Sequence, residues 1–185
     1  MNSATRYTAR YTAGAIALHW IIALLIVLNF AAVWISEGMP KPERMQIMAN
    51  HKAIGLTILA LSVLRLVWRF THPAPPFAPG MRPWEAMLAR VVHTLFYILI
   101  IAIPLTGWAM VSSFGKGAPV SWFGLFNVPA LPVSASKATA ETFHGVHGQL
   151  AIAALALLTL HVAGALKHQL LDRDGTLARM VPFLR

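Results

Sequence analysis

The stretch that decides the fold is FHGVHGQLAIAALALLTLHVAGALKHQLL, residues 143–171, an apolar segment of membrane-spanning length that carries four histidines. Two of them, His147 and His161, bracket a run without any charged residue. Because the step from 147 to 161 makes about four turns of α-helix, both imidazoles project from nearly the same face, about 21 Å apart along the axis. This one helix therefore predicts two separate histidine sites.

The composition indicates a membrane protein. Of the 185 residues, 57% are hydrophobic and only 11% are charged, whereas soluble domains contain about 45 to 50% apolar residues. The apolar residues form four long runs, which we expect to span a membrane at about 12–36, 47–70, 87–111 and 143–168. A cleavable signal peptide is the alternative for the first run, but its apolar region would be shorter. The sequence predicts an all-α, integral membrane four-helix bundle that forms a single domain over residues 1–185.

Polar segments that contain proline separate the four spans. We expect a short turn in water over 37–46 and a proline-rich break after the second span, since proline lacks the N–H that a helix interior needs. The loop over 112–140 is longer and contains Trp122, Phe123 and Phe126. Aromatic residues favour the boundary between lipid and water, so we expect this loop to rest on the membrane surface.

The basic residues indicate how the bundle lies in the membrane. If there are four spans, one end of the bundle, here called the inner end, carries Arg6, Arg10, Arg65, Arg69, Arg82, Arg90, Lys167, Arg173, Arg179 and Arg185. The opposite, outer end carries Lys41, Arg44, Lys52, Lys116 and Lys137. The positive-inside rule therefore places the inner end and both termini in the cytoplasm. Since these charges lie at span ends and not on one binding surface, the net charge of +9 does not indicate nucleic acid.

The histidines form two pairs at matching depths. His19, near the start of the first span, and His161, near the end of the fourth, lie at the inner level, whereas His51 and His147 lie at the outer level. Because the chain has no cysteine, any metal must be held mainly by histidine. Facing helices of a bundle can present two imidazoles to an iron porphyrin, so the pairs predict two haem sites.

Three other interpretations stay open on these residues alone. Histidines inside spans can simply hydrogen-bond to carbonyl groups on neighbouring helices. A zinc ion is a second alternative, but it needs about four ligands at one point and each depth supplies two. A haem-free transporter or proton relay is the third, because ionisable residues inside a membrane are typical of such proteins.

The remaining histidines are weaker candidates. His93, at the inner level, can touch a haem edge or a quinone, and His144 competes with His147 as the outer ligand. His168 lies nearer the inner surface, where it can contact a haem propionate or face lipid head groups. His72, in the proline-rich loop, is expected to be solvated.

Small and basic residues accompany the pairs. The small residues are Gly55, Gly148 and Gly164. They leave room either for a planar ring or for close helix packing. Arg65 and Arg69 at the inner end can pair with haem propionates, because a guanidinium matches a carboxylate at two points. Lys52 at the outer end can pair with a propionate through its ammonium group. Basic residues at span ends are also common without any such role.

Six segments carry a resemblance to a known family: RYTAGAIALHW (10–20), NHKAIG (50–55), LRLVWR (64–69), ARVVHTLFY (89–97), WFGLFNVPAL (122–131) and LHVAGALKHQLLDRDGTLARM (160–180). With them the chain resembles the bacterial cytochrome b561 family, which is related to the cytochrome b subunits of membrane hydrogenases. The resemblance covers nearly the whole chain. It implies two haem b groups with the axial ligands His19, His51, His147 and His161. His93 and His168 match histidine positions of the family that are not ligands.

The resemblance also implies a function. Such proteins are similar to carriers that pass single electrons across the bacterial inner membrane, often to or from quinone. It implies oxidation of superoxide at the outer face and reduction of ubiquinone; the alternative is a membrane anchor that relays electrons for a partner dehydrogenase or hydrogenase. The outer end carries five basic residues against Glu37, Glu43 and Glu141, an excess that favours the approach of a small anion.

Overall fold

Four long helices form the protein. The computed structural model describes residues 10–78, 80–181 and 183–184. The helices are α1 (Ala13–Ser36), α2 (Lys41–Thr71), α3 (Pro83–Phe114) and α4 (Lys137–Lys167). Each is long and apolar enough to cross a membrane, where a helix satisfies its backbone hydrogen bonds internally. The prediction of an all-α four-helix membrane bundle is confirmed.

The helices pack as consecutive neighbours. Close backbone contact joins α1 to α2, α2 to α3 and α3 to α4. Within the described part of the chain, α4 makes no comparable contact with α1 or α2. Large apolar side chains such as Leu24, Ile98, Ile152 and Leu160 are more than half exposed, as expected where lipid forms the surroundings. The bundle is therefore well packed along three seams and open between α4 and the first two helices.

Three helices begin earlier than the sequence predicted, and α3 does so at Pro83 in place of about residue 87. α2 starts at Lys41, so the expected turn over 37–46 is shorter, because Pro42 suits the first turn of a helix and Glu43 complements its dipole. α4 starts at Lys137, where Ser136 caps it by accepting a hydrogen bond from the Thr139 N–H at 3.1 Å. Polar residues can continue a helix beyond the membrane, which the apolar runs did not reveal.

The loop between α3 and α4 contains a hairpin that the sequence did not predict. β1 (Val120–Trp122) pairs antiparallel with β2 (Phe126–Val128). The connecting turn has positive φ at Phe123 (50°) and Gly124 (76°), a conformation that glycine adopts without strain. Trp122 Nε1 donates a hydrogen bond of 3.0 Å to Thr57 Oγ1 of α2, which anchors the hairpin to the bundle. Phe123 and Phe126 remain about half exposed.

At the inner end, α1 lies directly against the last turns of α2. Arg65 Nη1 donates to the Ala15 carbonyl oxygen at 3.2 Å, and Trp68 Nε1 donates to Thr12 Oγ1 at 3.0 Å. A Cβ atom added at Gly14 would lie 2.5 Å from Trp68 Cζ2, so only glycine allows this approach. The contact holds α1 and α2 at one height and in one rotation.

Ion pairs join α3 to α4 at the same end. Lys167 Nζ lies 2.6 Å from Glu85 Oε1, while the other carboxylate oxygen of Glu85 accepts the Arg82 N–H at the start of α3. Lys167 also contacts Asp172 Oδ2 at 2.6 Å, in the π-helical turn His168–Asp172 that follows α4. These pairs fix the height of α4 against α3.

His168 and Asp174 extend this network. His168 Nδ1 lies 2.7 Å from Asp174 Oδ2, and the Thr176 N–H donates to Asp174 Oδ1 at 2.9 Å. Burial alone would raise the pKa of the Asp174 carboxyl, but the hydrogen bonds from Thr176 and His168 together lower it. His168 Nδ1 is thus engaged by protein carboxylates.

We expect Gly14→Ala to destabilise the bundle by about 1–3 kcal/mol, because the added methyl group overpacks the contact with Trp68. Thermal unfolding in detergent, followed by tryptophan fluorescence, measures the change. Gly145→Ala is the matched control, a helical glycine where a Cβ would meet no heavy atom within 4 Å. Equal melting temperatures for the two variants would contradict a tight seam between α1 and α2.

Candidate functional site

The inner histidine pair spans the open side of the bundle. His19 of α1 and His161 of α4 face each other with ring centroids 6.3 Å apart and ring planes at 68°. Both are partly buried. His19 and His161, which the sequence placed at the same depth, therefore lie face to face, although the backbones of α1 and α4 do not pack closely.

The outer pair repeats this arrangement between α2 and α4. The ring centroids of His51 and His147 lie 6.2 Å apart, with an angle of 83° between the planes. His144, the competing candidate, is exposed, and it is His147 that faces His51. α4 therefore contributes one histidine to each pair.

The spacing within each pair fits one metal atom. Two imidazoles bound to opposite sides of a metal, with metal–nitrogen bonds of about 2 Å, place their ring centroids about 6 Å apart. A direct N–H···N hydrogen bond of about 2.9 Å would bring the centroids to about 5 Å. The observed 6.2 and 6.3 Å match the first arrangement and exceed the second.

The donor set favours two axial ligands over a tetrahedral ion. Over the described residues, one group of three histidine or acidic side chains brings its donor atoms within 4.8 Å of one another, namely His168, Asp172 and Asp174. Neither histidine pair gains a third donor of this kind. A zinc site needs about four converging ligands, so the pairs suit a planar cofactor that supplies the remaining coordination itself.

Space for a flat ring lies beside the pairs. A Cβ atom added at Gly55, Gly148 or Gly164 would meet no heavy atom within 4 Å. These three glycines therefore do not serve close packing of the helices against one another, which was the alternative explanation for them. The open side of the bundle leaves room between the helices that carry the pairs, and the residues fit a haem at each level.

The ring of His147 is oriented by α3. Its Nδ1 lies 2.9 Å from the Ile103 carbonyl oxygen, to which it can donate, and 3.3 Å from Thr106 Oγ1. Gly107 makes the approach feasible, since a Cβ there would lie 3.0 Å from His147 Cε1. Donation from Nδ1 leaves Nε2 as the unprotonated nitrogen, the form that binds a metal. In His51, Nδ1 is buried, and the ring lies beside the Asn29 backbone of α1.

The inner level holds a third histidine. The ring centroids of His93 and His161 lie 5.5 Å apart. The ring of Phe96, which lies on α3 as His93 does, has its centroid 5.3 Å from that of His161. The positive charge of Arg65 acts on His19, His93 and His161 alike. Arg65 is thus close to the inner pair, as expected for a side chain that meets a propionate.

The other basic and histidine candidates lie further from the pairs. Arg69 is exposed at the inner end, and Lys52 is half-buried beside His51, on which its charge acts. His72 is exposed and stacks on Trp68 with ring centroids 4.3 Å apart.

Four membrane helices with paired histidines across an open seam define a helical membrane cytochrome. The comparison with known sequences agrees. The chain belongs to the prokaryotic cytochrome b561 family, which it matches over residues 10–183. The resemblance seen in the sequence is therefore confirmed, and the protein is a multi-pass bacterial membrane protein that transfers electrons and binds haem b, as the family does.

Curated relatives are similar along almost their whole length. Cytochrome b561 homolog 2 of Escherichia coli (strain K12) is 33% identical, over 97% of this chain and 95% of the relative. Probable superoxide oxidase CybB of Yersinia pestis is 28% identical, over 94% of this chain and 96% of the relative. Cytochrome b562 of Cereibacter sphaeroides is 26% identical, over 92% of this chain and 94% of the relative.

The sequence did not reveal the residues that orient His147. Ile103 contributes only its carbonyl oxygen, and Thr106 and Gly107 are ordinary residues of an apolar span. Their role depends on how α3 is rotated toward α4. The glycine inside the span was the one signal in the sequence that could have drawn attention to this contact.

We expect Gly107→Ala to weaken haem binding at the outer pair by about 10-fold or more, because the new methyl group displaces the His147 ring from its carbonyl partner. Haem content and the low-temperature absorption spectrum of the purified protein measure the loss. Gly145→Ala, two residues from His147 and free of contacts, should leave both unchanged. Full and unaltered haem content in Gly107→Ala would show that the His147 ring does not need its place beside the Ile103 carbonyl.

Proposed function

We propose that this protein is a di-haem b cytochrome of the bacterial inner membrane that passes single electrons from a donor at the outer face to ubiquinone. Superoxide is the proposed donor. The whole chain, 1–185, would form one four-span domain with both termini in the cytoplasm. The observation that carries the proposal is the metal-binding spacing of two histidine pairs at opposite ends of one bundle.

The ligands assigned by this proposal are His51 and His147 at the outer level, and His19 and His161 at the inner level. A haem b held by two histidines supplies reversible one-electron transfer and leaves no iron position open for oxygen. The chain's own contribution is to hold each imidazole in place and to keep the surroundings apolar. Arg65 and Arg69 would balance propionate charge inside, as Lys52 would outside.

The proposed reaction balances with simple reactants. Two superoxide anions each give up one electron and become dioxygen, while ubiquinone takes up the two electrons and two protons to form ubiquinol. Two observations support superoxide as the donor. The outer end has five basic residues against three acidic ones, a balance that draws in small anions, and one relative is named a probable superoxide oxidase.

Replacing one ligand should remove one haem. We expect His161→Ala to lose the inner haem and His147→Ala to lose the outer one, because a single remaining imidazole binds haem much more weakly. The haem-to-protein ratio and the reduced-minus-oxidised spectrum measure this. His144→Ala is the matched control and should keep both haems, since His144 is exposed. Retention of both haems in His161→Ala would refute the pairing.

The activity itself is tested with purified holoprotein, an enzymatic source of superoxide and a soluble ubiquinone analogue. We expect superoxide-dependent formation of ubiquinol at a rate that falls as salt is added, since salt screens the outer charges. A protein with a normal b-type spectrum that oxidises no superoxide would remove the donor and leave the electron carrier. Absence of any b-type spectrum would instead favour the haem-free transporter or proton relay.

A further inference from the structure

Arg179 is a buried charge that lacks both an anionic partner and a full set of hydrogen bonds among the described residues. Only 7% of its surface is exposed, and it lies in the short 3-10 turn Leu177–Arg179 of the C-terminal tail. Nη1 donates to the Pro76 carbonyl oxygen, but Nε is buried without a hydrogen-bond partner. A buried guanidinium is strongly unfavourable unless an anion and further hydrogen bonds compensate it.

The acidic side chains nearby in the tail and at the start of α3 are already engaged. Asp172 and Glu85 pair with Lys167, and Asp174 bonds to His168 and to the Thr176 N–H. No ion pair joins Arg179 to a carboxylate in the described ranges of the chain. The missing anion is therefore a group that is not an acidic side chain of these residues.

The tail brings the residue after Arg179 into contact with α1, one residue from His19. The tail leaves α4 after the turn that contains Asp172 and reaches α1, where Trp20 Nε1 donates to the Met180 carbonyl oxygen at 2.8 Å. The Trp20 ring in turn lies 5.2 Å from the ring of His19. The segment that carries Arg179 thus runs from the end of α4 to the turn of α1 that holds His19.

We propose that Arg179 is a positioning residue that binds a propionate carboxylate of the haem held by His19 and His161. A guanidinium binds a carboxylate through two parallel N–H donors, and Nε is one of the donors that such a pair uses. The positive charge also opposes loss of an electron from the nearby iron, so it holds the potential of the inner haem up. This inference rests on the proposed function. It adds a residue that the sequence analysis used only to orient the bundle in the membrane.

The test measures midpoint potentials of the purified holoprotein by redox titration. In Arg179→Gln the potential of the inner haem should shift to lower values, while that of the outer haem stays unchanged. The two potentials are assigned in the His147→Ala background, which should keep only the inner haem. Arg173→Gln is the matched control, because it removes the same charge from an exposed position in the same tail, and it should move neither potential.

Arg179→Lys separates charge from packing. It keeps the positive charge, so it should keep the inner haem and most of its potential, even where Arg179→Gln releases that haem. Loss of the inner haem in both variants would overturn the proposal in favour of a packing role. An equal shift in Arg173→Gln would overturn it in favour of general surface charge.

An unchanged inner potential in a fully loaded Arg179→Gln protein would also overturn the inference. If that variant instead lost a co-purifying anionic phospholipid, the anion would be a lipid phosphate and not a propionate. Failure of the proposed function looks different, since the unsubstituted protein would then show no b-type spectrum at all.

Discussion

The rest of the structure depends on one interaction, the close approach of paired imidazoles across the open side of the bundle. α4 packs closely against α3 and not against α1 or α2, yet it presents His161 to His19 and His147 to His51 at 6.3 and 6.2 Å. Such distances require α4 to keep one height and one rotation. A rotation of one residue turns a helix by about 100° and would separate both pairs.

α3 is the element that holds α4 in that position. At the inner end, Lys167 pairs with Glu85, and at the outer level the Ile103 carbonyl oxygen and Gly107 receive the ring of His147. The ion pair fixes height, whereas the ring contact fixes rotation. α3 contributes none of the four proposed ligands, but it determines where α4 places its two.

The sequence predicted the elements that depend on local composition and missed those that depend on distant contacts. Apolar runs were sufficient for four spans, because lipid demands helices of that length. The same runs placed the start of α4 at about 143, although the helix begins at Lys137 with polar residues. The hairpin Val120–Val128 is held by Thr57 of α2, a contact more than sixty residues away in the chain. No local pattern announces such a partner.

The sequence alone determined the depth of each histidine along its helix. A helix rises by a constant amount per residue, so histidines at the same depth can be matched by counting. Which side of a helix faces which neighbour was decided only by the tertiary structure. That information distinguishes His147 from the exposed His144, gives His147 its carbonyl partner, and buries Arg179 of the C-terminal tail. Rotation depends on how all four helices pack together, and this packing is a property of the bundle that no single segment encodes.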